Sequence, residues 1–341
     1  MEIDSRMSED VRDVTIIGGG PAGLYAAFFA GMREQSVRII DSLPELGGQL
    51  LALYPEKYIY DVGGFPKVLA KDLGQGLISQ ALQFDPEVVL GEEIHTLIRK
   101  DDHIVLEGRK ARYLTRTLVL AGGKGALEPV RLKCPGAQEF LGRGIDHAVL
   151  KPEAYRGKRL LLVGGGDSAV DWALALKDEA AALLLIHRRE AFRAHERSVS
   201  QIQRCSDAGE LSFRAFHEVK EIRGSEAVES AVIFDNRSGE ETTVEVDGVL
   251  TFLGFKPDLG PFKKWGLALK GNRVVANRLM ETNLPGVFAA GDMVDYEGKM
   301  DLIAMGFSEA AIAVNSAVQF VDPQARAKPG HSTNLKIFKD T

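Results

Sequence analysis

Apolar positions in this chain gather into short β-branched runs that stop at glycines and give way to stretches of small residues. Val14 to Ile17 is the first such run. Gly18-Gly19-Gly20 follows, and then Pro21 to Ala30, rich in alanine. The order predicts strand, tight turn and helix, with Val37 to Ile40 as the next strand. The same grammar returns later. Arg159 to Val163 predicts a strand, Gly164 to Ala169 a glycine turn, Ala173 to Lys177 the body of a helix, and Leu183 to Ile186 the strand after it. Between the two units, Ala81 to Leu120 alternates short apolar runs with charged turns, which predicts an antiparallel excursion from the first sheet. Val228 to Thr251 reads as hairpin strands around Asn236 to Gly239. Val287 to Ala290 predicts one more strand, stopping at Gly291-Asp292, and Leu302 to Phe320 a long helix.

The two glycine turns carry different chemistry. In the first, Gly18, Gly20 and Gly23 make a GxGxxG with Ala22 inside it. The first glycine permits the turn, the second admits a pyrophosphate to the backbone, and the third lets helix and strand pack closely. Asp41, about twenty residues on, stands where an acid accepts ribose hydroxyls. In the second, Gly164, Gly166 and Ala169 make a GxGxxA with Ser168 inside it, and His187-Arg188-Arg189 replaces the acid. An acid there would repel a 2'-phosphate, whereas guanidinium groups bind phosphate through charge-assisted hydrogen bonds. The second loop therefore selects NADP(H) over NAD(H). The first suits the adenosine half of FAD, which has no 2'-phosphate.

The fold class expected is α/β, with two Rossmann-like, three-layer ββα dinucleotide-binding domains and a C-terminal tail. The FAD domain is discontinuous, residues 1–121 plus 287–341 with the tail at 322–341, and the NADPH domain, 122–286, is inserted in it. A helix starting just after Asp292 would point its positive end at the flavin. The tail is proline-bearing and charged like a frayed terminus, yet it carries His331-Ser332-Thr333 and the apolar Leu335, Ile337 and Phe338.

Composition narrows the classes. At 341 residues, 45% hydrophobic and 26% charged, the chain has ordinary globular composition with room for two cores. Net charge is −6, which argues against general nucleic-acid binding. No apolar run reaches the roughly 18 residues of a membrane span. The polar start MEIDSRMSEDVRD lacks the apolar core of a secretory leader, so a cytoplasmic location is expected. Cys134 and Cys205 stand far apart, which indicates neither a disulfide framework nor a metal site.

GGGPAGLYAAFFAGMR, SLPELGGQLLALYPEKYIYDVGGFPK, GGGDSAVDWALAL, HRREAFRAHE, METNLPGVFAAGD and the HST of the tail together resemble the thioredoxin-reductase-like (type 2) ferredoxin-NADP reductases. The likeness runs in order over nearly the whole chain. Thioredoxin reductases carry a CxxC just before the second glycine loop. Aligned on Gly142-Arg143-Gly144, the two cysteine positions hold Ala148 and Lys151 here, so no dithiol receives the flavin's electrons.

The resemblance implies hydride transfer from NADPH to FAD and then single-electron steps to ferredoxin, an acidic electron-transfer protein. It implies flavin contacts from Asp41, Gln49 and Asp292, a backbone contact near adenine from Ile94, and packing near the ring from Leu127. Tyr54 would lie on one face of the flavin ring. The tail of a partner subunit in a homodimer would place His331 on the other face, with Ser332 or Thr333 near the reactive nitrogen. Tyr54, His331, Ser332 and Thr333 are thus the candidates at the reacting centre. Two departures from the group stand out: Asp41 in place of a common Glu, and Leu127 in place of a common aromatic. Other acceptors (flavodoxin, quinone, a disulfide partner) stay open, as does a non-catalytic NADPH-responsive flavin module.

Overall fold

The computed structural model describes residues 10–149, 151–327, 330–334 and 338, with the side chains of 126–129 and 255–257 excepted. The chain forms two units, one from residues 1–127 and 257–341, the other from 128–256.

The first unit is built on a seven-stranded sheet. Glu87–Leu90, Val37–Asp41, Arg12–Ile17 and Arg112–Leu120 run side by side in parallel, and Val287–Ala289 also pairs in parallel with Arg112–Leu120. The antiparallel strands Ile104–Gly108 and Ile94–Arg99 extend the sheet, as the charged turns predicted. Alternate side chains leave the sheet on opposite faces. Val14, Ile16, Ile39, Val119 and Phe288 enter a core shared with the helices Pro21–Met32, Ala70–Ala81 and Ile303–Val321. Ile17, Ile40, Leu118, Leu120 and Ala289 enter a second core on the other face. Each fully buried side chain of this size contributes about 1.5–3 kcal/mol, so both faces of the sheet are held.

That second core corrects the expected boundary. Residues 122–127 and 257–286, assigned to the inserted domain from sequence, belong to the first unit. Phe262 and Trp265 meet edge-on, 4.7 Å between ring centroids, and both are buried with Met293. The Trp265 indole N–H donates to His95 O at 2.9 Å, and Arg273–Val275 pairs in parallel with Val294–Asp295. The Trp265–His95 bond spans 170 residues and leaves no periodic trace in the segment itself.

The second unit is a three-layer arrangement. Ile145–Asp146, Gly248–Phe252, Arg159–Gly164, Ala182–His187 and Ser212–Ala215 form a fully parallel sheet in that spatial order. Leu160, Leu162, Leu185 and Leu250 face the helices Asp167–Leu176 and Glu196–Asp207. Leu161, Val163, Ile186 and Val249 face the antiparallel layer His217–Gly224, Val228–Asp235 and Glu241–Glu245. The hairpin expected around Asn236 to Gly239 is present, closed by Gly239 N–H donating to Asp235 O at 2.8 Å.

Candidate functional site

In the first unit the GxGxxG closes the turn between Arg12–Ile17 and Pro21–Met32. Gly18 sits at φ +114°, and a Cβ there would lie 2.3 Å from Ala121 O; a Cβ on Gly23 would lie 1.8 Å from Gly18 O. Both positions require glycine. Gly20 caps the helix with no side-chain hydrogen bond and Pro21 opens it. The first-turn N–H groups therefore face the loop, an arrangement that suits an anion. Ala22 lies in that turn.

Asp41, 8% exposed, ends the next strand. Its carboxylate accepts the N–H of Gly19 at 2.5 Å and of Leu43 at 2.8 Å. Burial holds its pKa above the ordinary carboxylate value, against the smaller opposing pull of the Leu43, Gly19 and Ser42 N–H groups. Asp41 thus braces the glycine loop. Glu92 N–H donates to Asp41 O at 2.9 Å, and Ile94, two residues on, is buried against Ile40. Gly47 N–H donates to Gly19 O at 2.8 Å, and a Cβ on Gly48 would lie 2.7 Å from Gly20 Cα. The GGQ turn therefore lies over the loop, and Gln49 opens the short helix Gln49–Ala52 with its Nε2 directed toward Gly123.

Tyr54 packs against the helical core. Its pKa is raised by burial first and then by the negative charges of Asp292 and Asp61, which places these groups within electrostatic reach. Asp292 lines a polar cleft of about 460 Å³ together with Lys124, Lys270, Gly271, Asn272, Arg273 and Asp295. Lys124 Nζ stands 3.9 Å from Asp292 and 3.8 Å from Asp301, while Arg273 holds Asp301 through two hydrogen bonds of 2.8 and 2.6 Å.

The helix expected over Leu302 to Phe320 is present as Ile303–Val321, separated from Asp292 by a short connection. A 3-10 turn, Gly291–Met293, and the strand Val294–Asp295 come first, because Val294 is drawn into the second core. The helix start still approaches the turn: a Cβ on Gly306 would lie 3.5 Å from Ala22 Cβ and 3.7 Å from Gly291 Cα.

In the second unit the GxGxxA closes the turn between Arg159–Gly164 and Asp167–Leu176. A Cβ on Gly164 would meet Phe252 O at 2.5 Å and Ala169 Cβ at 3.0 Å. Gly166 caps the helix without a side-chain bond, and nothing lies within 4 Å of its Cβ position, which leaves the space a pyrophosphate needs. Ser168 and Ala169 lie in the first turn. His187 covers the loop from the adjacent strand end, its ring 2.2 Å from a Cβ on Gly165 and stacked on Phe192. Burial lowers the His187 pKa, the Ala191 carbonyl raises it, and Arg188, Arg189 and Arg193 add to the lowering. Arg188 and Arg189 are exposed.

Arg193 is the residue the sequence reading passed over. Its N–H donates to Gly165 O at 2.7 Å, and Asp167 accepts the His195 N–H at 3.0 Å, so the whole loop after the arginine pair is pinned to the glycine turn. The signal was present in HRREAFRAHE as a third arginine four residues after Arg189.

Among the described residues, the tail's contacts lie with Arg33, Asn315 and Phe84. His331, Ser332 and Thr333 are exposed, and Ser332–Asn334 forms a 3-10 turn. The flanking anchors are Arg33, which donates to Arg326 O at 2.9 Å, and Phe338 edge-on to Phe84. They lie at the far end of the helix Pro21–Met32, roughly 18 Å from its glycine-loop end at 1.5 Å per residue. Leu335, Ile337 and the Leu127 side chain lie outside the described residues. Ala148 is partly buried, Lys151 exposed, and both cysteines are free.

The sequence matches the pyridine nucleotide-disulphide oxidoreductase family over residues 12–317. It is 49% identical to a ferredoxin–NADP reductase of Thermus thermophilus over 96% of this chain and 98% of that protein. It is 48% identical to ferredoxin–NADP reductase 2 of Shouchella clausii, again over 96% and 98%. Among solved structures, a thioredoxin reductase of Lactococcus lactis superposes with a TM-score of 0.77 at 25% identity, covering 91% of this chain and 99% of its own.

Proposed function

The chain belongs to the pyridine nucleotide-disulphide oxidoreductase family, and on that premise we propose that it is a ferredoxin–NADP reductase, with FAD in the first unit and NADPH in the second. One observation carries the reading. Two glycine loops of opposite ribose chemistry, Asp41 beside one and His187-Arg188-Arg189 beside the other, occur in a chain with Ala148 and Lys151 where a disulfide relay would need thiols.

Bound FAD supplies the chemistry of exchanging a hydride for single electrons. The protein's residues hold, orient and shield. The loop Gly18 to Gly23 and the first-turn N–H groups at Ala22 take the pyrophosphate, Asp41 takes the ribose hydroxyls, and Ile94 borders the adenine. Gln49 and Asp292 hold the central part of the molecule, Tyr54 covers one ring face, and Leu127 packs at the ring edge. Gly164, Gly166, Ser168 and Ala169 cradle the NADPH pyrophosphate, while His187, Arg188 and Arg189 select its 2'-phosphate. In a homodimer the tail of the second copy covers the remaining face with His331, and Ser332 or Thr333 holds a proton near the reactive nitrogen. The acceptor is an acidic, one-electron protein of the cytoplasm, where two unpaired cysteines persist as thiols.

The test is NADPH-driven cytochrome c reduction with and without ferredoxin, run beside thioredoxin reduction. Strong stimulation by ferredoxin with inert thioredoxin supports the reading. Thioredoxin turnover without ferredoxin stimulation overturns it.

A further inference from the structure

Glu309 occupies the second turn of the helix Ile303–Val321 and is 1% exposed. Its carboxylate is held from three sides. One oxygen accepts the Gly291 N–H at 2.7 Å, the other accepts the Tyr296 hydroxyl at 2.7 Å, and Lys299 Nζ donates to both at 2.8 and 2.6 Å. The Lys299 side chain is itself 3% exposed, so the ion pair is shut away from water.

Stability alone does not call for such a pair. Two charges taken out of water seldom gain more from each other than desolvation costs them, and replacing both with apolar residues is often neutral. What the pair does, and an apolar pair cannot, is grip a backbone N–H. Gly291 lies at φ +78° in the turn that presents Asp292, and a Cβ there would lie 3.0 Å from Ala22 in the first glycine-loop helix. Tyr296 and Lys299 come from the segment that joins this turn to the C-terminal helix. One carboxylate thus ties together helix, connecting segment and turn, all within the first unit.

We infer that Glu309 is a positioning residue for Asp292, its carboxylate fixed in place by Lys299 and Tyr296 while it holds the Gly291 N–H. The two carboxylate oxygens have lone pairs enough to accept from Gly291, Tyr296 and Lys299 together. Burial, followed by Glu309 itself, holds the Tyr296 pKa well above its ordinary value, so the hydroxyl remains a donor. The inference rests on the reading of Asp292 as a flavin-holding residue.

The decisive variant is Glu309→Leu combined with Lys299→Met, which removes both charges and releases the Gly291 N–H. Its thermal unfolding temperature should fall modestly, since the Gly291 N–H and the Tyr296 hydroxyl lose their acceptor, while its FAD dissociation constant, followed by the fluorescence of released flavin, rises about tenfold, the worth of one hydrogen bond to a charged group. The flavin midpoint potential should shift, and the NADPH KM should not, since the second unit is untouched. Should that variant fold poorly, Glu309→Asp keeps the charge balance but withdraws the carboxylate by one methylene, and should loosen FAD in the same sense. FAD affinity and potential like the parent's in either folded variant would overturn the inference. Failure of the underlying reading looks different: Asp292→Ala would then hold FAD as tightly as the parent.

Discussion

Arg188 and Arg189 stand exposed at the end of a buried strand, with their positions fixed by the bond from Arg193 to the glycine turn. Changing both to Ala should raise the NADPH KM about a hundredfold or more, at about 1.5–3 kcal/mol per hydrogen bond to a charged group, with little change for NADH. Steady-state kinetics with the two nucleotides checks this, and an unaltered preference would make the arginines merely solvated. His187 gives a prediction in pH. Burial holds its folded pKa below the ordinary 6.5. As the pH falls through that value the unfolded chain takes up a proton that the fold refuses, so the stability His187 contributes is present above 6.5 and lost below it. Thermal unfolding of the parent should therefore weaken toward acid more steeply than that of His187→Gln. Parallel profiles would remove the imidazole from the account.

The second glycine turn separates packing from ligand binding within three consecutive residues. Gly166 has open space at its Cβ position and an extended backbone that alanine adopts freely, whereas a Cβ on Gly165 runs into the His187 ring. Gly166→Ala should leave stability within about 0.5 kcal/mol, the usual range for a surface change, yet weaken binding of 2',5'-ADP. Gly165→Ala should lower both stability and binding. Calorimetric titration and thermal unfolding of the two variants decide the matter; equal binding by Gly166→Ala and the parent would mean that no phosphate lies there. These turns were legible because a glycine turn, its flanking strand and its helix are neighbours in sequence. Asp41 and His187-Arg188-Arg189 were legible for the same reason. Trp265 against His95 and Glu309 against Gly291 were not, since each pairs residues whose partnership exists only after the sheet has formed.

For the whole molecule, the chain divides into two units, the first of them discontinuous, and aromatic packing at Phe262 and Trp265 ties the segment 257–286 to the first unit against what its composition suggested. The tail is where local and global readings diverge most. Its composition is that of a terminus, its described contacts are with Arg33, Asn315 and Phe84, and the proposed role needs a second copy. Truncation after Pro329 should leave FAD bound and the assembly state, measured by sedimentation, unchanged, while the flavin spectrum and the rate of flavin reduction by NADPH change. Parent-like spectra and rates would make His331, Ser332 and Thr333 bystanders.

The central claim is that electrons leave the flavin directly for a one-electron protein acceptor, with no dithiol between. The most direct measurement is anaerobic: reduce the bound flavin with one equivalent of NADPH, remove the nucleotide, and titrate with oxidised ferredoxin while following the flavin and iron–sulfur absorbance. The account predicts full flavin reoxidation at two ferredoxins per flavin, since each takes one of the two electrons. A flavin that stays reduced with ferredoxin but is reoxidised by a disulfide protein would contradict it.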